Sequence, residues 1–215
     1  MTAKTAAAGV DSATDDARED GRTLRRERNR AAMVDAMLEL YCEGNLAPSS
    51  HVIAQRAGLS PRSLFRQFED IDDLVRAAID RQLERVRPTL DLDIAHDAPF
   101  AKRVAALVEQ RQRMFDAIGA VGKVSRIRAP FQPLIAAQLR QAGSFLRHQI
   151  ERLFATELAH FEPAHAASAL AAADVVSSFE AHQLLREDQR LSRAKAAAVL
   201  TDSLTRLLTP EIRSR

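Results

Sequence analysis

The 215-residue chain has one cysteine, Cys42, so an internal disulfide is excluded. It has only 7 glycines and 8 prolines, and aromatic residues make up 5%. Alternating β-branched patterns are almost absent, and the abundance of alanine, leucine and arginine points to an all-α fold that needs no strand. The longest apolar runs, such as residues 169–173, fall far short of a membrane span, and residues 1–21 lack the apolar centre of a signal peptide. A cytoplasmic chain with no membrane partner is expected. Also missing are a glycine-rich phosphate loop, an HExxH pair, clustered Cys/His ligands and any nucleophile–base pair. Catalysis, metal and cofactor are therefore not expected. His148, His160, His165 and His182 are spread along the chain without clustering and read as surface or interface side chains.

What is present is an uneven distribution of charge behind a formal net charge of +2. Residues 1–21 carry Lys4 and Arg18 against Asp11, Asp15, Asp16, Glu19 and Asp20, and read as a disordered acidic tail. Residues 22–68 carry eight arginines against Glu27, Asp35, Glu39 and Glu43. Five of those arginines lie between 22 and 30, where cations oppose the dipole of a helix start, so an approach to phosphates explains them better than a solvated helix end. Met33, Met37, Leu38, Leu40 and Tyr41 form an apolar set in which Cys42 is expected to pack.

The most informative stretch is Ile53 to Phe68. Val52, Ile53 and Ala57 sit at helical spacing, and Gly58 supplies the φ > 0 position that ends a helix. Ser60 is a good N-cap and Pro61 suits the first helical position, so a second helix is predicted at about 60–67. Leu64 and Phe68, four apart, face inward and leave Arg62, Ser63, Arg66 and Gln67 outside. Guanidinium, hydroxyl and amide groups are those that pair with base and phosphate edges in a major groove. The unit reads as a helix-turn-helix with a recognition helix.

Through Ile53, Ala54, Ala57, Gly58, Leu59, Ser60, Leu64, Phe65 and Phe68 the chain resembles the TetR-type one-component transcriptional regulators, over roughly residues 24–75. The resemblance implies a double-stranded, palindromic DNA operator, a homodimer and a small-molecule effector of unknown identity. It implies a DNA-binding set of Arg26, Arg30, Ser49, Ser50, His51, Ser60, Pro61, Arg62, Ser63, Phe65, Arg66 and Gln67. Three positions depart from the family pattern. Phe65 stands where tyrosine is usual, Ile71 flanked by Asp70, Asp72 and Asp73 stands where lysine is common, and Pro48-Ser49-Ser50-His51 replaces a Thr-rich entry.

The organisation expected is a tail at 1–21, a DNA-binding domain at 22–87 and a larger helical domain at 88–215 for ligand binding and dimerisation. A linker is read from Arg87-Pro88 to Pro99, followed by helices at about 99–118, 121–128, 130–158, 163–187 and 192–208. The small residues of 166–181 and the stripe Ala196, Val199, Leu200, Leu204, Leu207 and Leu208 suit close helix approach, and the resemblance makes the last two helices the dimer interface. In helix 99–118, Arg111 interrupts an apolar stripe. Either it meets an acidic residue such as Asp174 or extends its head to water, or it faces a cavity lined by Met114, Phe115, Phe131, Leu134, Gln138 and Phe145. A ligand-independent DNA-binding accessory protein with the same head is the alternative reading.

Overall fold

In this computed structural model, backbone is described for residues 10–209 and side chains from Gly21 onward. The described residues form helices and no strand: α1 (Val10–Cys42), α2 (Ser50–Arg56), α3 (Pro61–Gln67), α4 (Ile71–Val86), α5 (Phe100–Arg128), α6 (Pro133–Leu153), α7 (Ala155–Leu158), α8 (Pro163–Val176), α9 (Phe179–Gln183) and α10 (Arg193–Leu208). The all-α expectation holds. The acidic tail does not stay disordered over 10–21, which belongs to α1; residues 1–9 lie outside the described residues. Alanines favour a helix there, and acidic residues near its start complement the positive end of the helix dipole.

The chain divides into two compact units that meet between Arg81 and Gln82, inside α4 and before the expected boundary at 87. Packing explains the shift, because Val86 joins a core with Met114, Phe115 and Phe179. In the first unit Met33, Met37 and Tyr41 are fully buried, as are Ile53, Leu64 and Leu74. Cys42 is exposed, contrary to the packing expectation. It lies at the last position of α1, about 100° around the helix from Tyr41. Arg81 on α4 reaches Asp35 on α1 at 3.1 Å, tying these two helices together.

The second unit is built around Val104, Leu107, Val108, Ile150, Leu153, Phe154, Leu170, Ala173, Leu200, Leu204 and Leu208. The segment expected as a linker is part of it: Leu92 and Ile94 pack on this core. Gly119, at φ 41° and ψ −124°, breaks α5 at the predicted place, and the nearby Ala117 carbonyl accepts from Gln82 Nε2 at 2.5 Å. Two breaks have no such signal. Helix 130–158 starts late, at Pro133, and is interrupted at Phe154, whose buried ring meets Phe100 edge-on at 5.7 Å. Helix 163–187 stops at Ser177, after which Ser178 caps α9 by accepting from the Ala181 N–H, and a π turn spans Leu184–Asp188. Beneath α7, the Arg103 guanidinium donates to the Leu153 carbonyl and to both oxygens of Glu157. Burial alone would raise the Glu157 pKa, but these bonds and the arginine charge hold it below the usual carboxylate value.

Candidate nucleic-acid interface

The α2–turn–α3 unit is specified by its caps. Ser49 Oγ accepts from the Val52 N–H at the start of α2. At its end the Leu59 N–H donates to the Ala54 carbonyl at 2.8 Å and the Gly58 N–H to the Gln55 carbonyl at 3.1 Å, the paired bonds of a Schellman motif. Gly58 sits at φ 66° as predicted. A Cβ there would be strained, and Gly58→Ala is expected to cost about 1–2 kcal/mol, read as a lower denaturant midpoint. Ser60 then caps α3, accepting from the Ser63 N–H at 3.2 Å, with Pro61 in the first turn.

Leu64 and Phe68 are buried, which turns Arg62, Phe65 and Arg66 to solvent; Ser63 and Gln67 are half-buried. Ser63 Oγ lies 3.0 Å from Ser60 Oγ, so the two hydroxyls hydrogen-bond to each other. Among the described residues no hydrogen bond or ion pair holds the Arg62 or Arg66 guanidinium, whereas Arg56 is gripped by both oxygens of Glu43 at 2.8 Å and approached by Glu39. That pairing takes Arg56 out of the free basic charge. His51 and Ser49 are exposed beside α2, with Ser50 half-buried. Phe65, 54% exposed, presents a bare ring where its hydroxylated counterpart would offer a phosphate partner.

Two features of this region escaped sequence reading. Two of the aspartates that flank Ile71 at the start of α4 are caps: Asp70 Oδ1 accepts from the Asp73 N–H at 2.7 Å, and Asp73 Oδ2 accepts from the Glu69 N–H at 3.2 Å. An acidic residue three positions after another before an apolar run was the available signal. Arg30 does not simply point outward; its Nη1 donates to the Gln67 carbonyl at 2.8 Å and its guanidinium lies 4.2 Å from the Phe68 ring centroid. Thr23, Arg26, Glu27, Arg30 and Gln67 together line a groove of about 320 Å³ beside α3.

The proposed ligand set is not brought together. Met114 and Phe115 are buried in a core with Val86 and Phe179, while Phe131, Leu134 and Phe145 are 82%, 54% and 46% exposed. Phe131 lies in the turn between α5 and α6 and not on a helix, and helical periodicity did not fix how the others stand relative to one another. Arg111 is 1% exposed and donates to Gln110 Oε1 at 2.5 Å, Gln149 Oε1 at 2.9 Å and the Leu146 carbonyl at 2.9 Å. Gln110 and Gln149 both donate onward to the Leu90 carbonyl. Burial lowers the Arg111 pKa to about 10 against the opposing pull of Asp174, which itself pairs with Arg147. The cavity beside Arg111, walled by Phe115, Ser177, His182 and Leu200, holds about 10 Å³, room for a single water. His182, read as a surface or interface residue, is half-buried with its Nε2 3.2 Å from Asp116 Oδ1.

A TetR-family transcriptional regulator from Streptomyces coelicolor is 19% identical and superposes with a TM-score of 0.63, covering 83% of this chain and 81% of that one. The chain has the TetR-family fold. A transcriptional regulator from Rhodococcus sp. Rha1 shares it at 17% identity and TM-score 0.63, over 85% of this chain and 95% of that one. So does the multidrug binding protein EbrR complexed with imidazole, at 20% identity and TM-score 0.51, over 87% and 92% of the two chains. No family model and no curated protein matches the sequence. Among the described residues no helix is long and apolar enough to cross a membrane, and no cluster of metal-ligating side chains occurs.

Proposed function

We propose that the chain is a TetR-family transcriptional repressor that binds a palindromic operator as a homodimer and releases it on taking up a small molecule. The observation that carries the DNA-binding part is the pair Arg62 and Arg66, exposed and unpaired among the described residues, on a helix whose start is fixed by Ser60 and Pro61. One such helix reads too few base pairs for useful discrimination, and a two-fold dimer doubles them. An exposed face of small residues on α8, Ala164, Ser168, Ala171 and Val175, supports close approach of a second copy, with Val199 open on α10. The effector part rests on likeness to the fold of a multidrug binding protein.

A second reading, ligand-independent binding, is favoured by the 10 Å³ cavity, which no organic effector enters without displacing packed side chains. Selection from random duplexes tests the main reading. Enrichment of an inverted repeat with half-sites about 10 base pairs apart, or a multiple of that, is expected. Failure to enrich any sequence would overturn it. Compounds that weaken operator binding and raise the Tm would favour the effector; a screen yielding none would favour the second reading.

A further inference from the structure

We infer that Arg30 is a positioning residue for the recognition helix, not a phosphate anchor as its sequence context implied. This rests on the DNA-binding reading above. Helix α3 is only seven residues long and ends abruptly, with Phe68 in an extended conformation at φ −130° and ψ 140°. The last carbonyls of a helix have no partner within it. The Gln67 carbonyl receives one from Arg30 Nη1, 37 residues earlier in the chain. The cation also sits at the negative end of the α3 dipole and covers the face of Phe68, the side chain that anchors this end of α3 in the core.

Three interactions thus converge from α1 on the last turn of α3. Arg66 lies one residue before the clamped carbonyl and Arg62 one turn further back, so the clamp sets where both guanidinium groups stand. A lysine reproduces the charge but not this geometry, because an ammonium has no planar face to lay on a ring while its fork reaches a carbonyl. Arg26, on the same side of α1 and lining the same groove, makes no such bond and remains the candidate for phosphate.

Native-state hydrogen exchange and DNA titration separate the two roles. In Arg30→Ala, exchange at the Gln67 and Phe68 amides accelerates while that around Met33 and Met37 on α1 stays as in the parent. The ratio of operator to scrambled-duplex affinity falls roughly tenfold, about one base contact, with the dependence of log K on log salt unchanged. Arg30→Lys does not restore the ratio. Unaltered exchange in Arg30→Ala overturns the clamp. So does a loss equal on both duplexes with the salt slope reduced by about 1 and restored by lysine, the signature of a phosphate contact. A parent that prefers no duplex sinks the DNA-binding reading alone, and the exchange measurement still judges the clamp.

Discussion

Alanine at both Arg62 and Arg66 is expected to erase most of the preference for operator over scrambled DNA while leaving the fold intact. Each guanidinium that pairs with a guanine edge contributes about 1–3 kcal/mol of discrimination. The two residues stand one helical turn apart, share neighbours and would read adjacent positions, so their losses need not add. Both side chains are exposed and neither is paired among the described residues, so stability should change by no more than about 0.5 kcal/mol. Titration of each single variant and the double against a library of single-base operator changes gives the result. At least one variant should lose selectivity at one base position. Parent-like selectivity in the double variant would mean that α3 is not the reading helix.

The helix-turn-helix was legible because its determinants are local. Ser49, Gly58, Ser60 and Pro61 each fix a backbone feature within four residues of themselves, so sequence spacing alone locates the turn and both caps. Elsewhere the decisive partner lies far along the chain. Nothing near Phe154 ends a helix; the ring turns into the core because Phe100, 54 residues earlier, is there to meet it. Ser177 and Ser178 are weaker breakers than glycine or proline, and a continuous helix was expected through them. The expected ligand set is scattered for the same reason. Periodicity says which side chains share a face of one helix, but whether Leu134 meets Phe115 depends on how α6 lies against α5, and Phe131 falls in the turn between the two. The unexpected role of Arg30 is of this kind too, since a basic run in α1 gives no hint that one member reaches the end of α3.

Burial also changes which residues test the dimer. Leu200 and Leu204, on the apolar stripe of the last helix, are 8% and 0% exposed within a single subunit, packed against Val104, Leu107 and Leu170. Aspartate at Leu204 would place an unpaired charge in that core. The desolvation cost of several kcal/mol is comparable with the whole stability of a domain, about 5–15 kcal/mol, so Leu204→Asp should unfold the second unit rather than separate subunits. Val175 and Val199, at 67% and 43% exposed, are the large apolar side chains that α8 and α10 leave open for a second copy to cover. Val175→Asp with Val199→Asp should leave the subunit folded by circular dichroism and Tm, yet sediment as a monomer. Operator binding should then fall by about 10²–10⁴, the gain lost when two tethered heads become independent. A folded dimer in the double variant would place the interface elsewhere, and parent-like operator binding by the monomer would remove the two-fold reading.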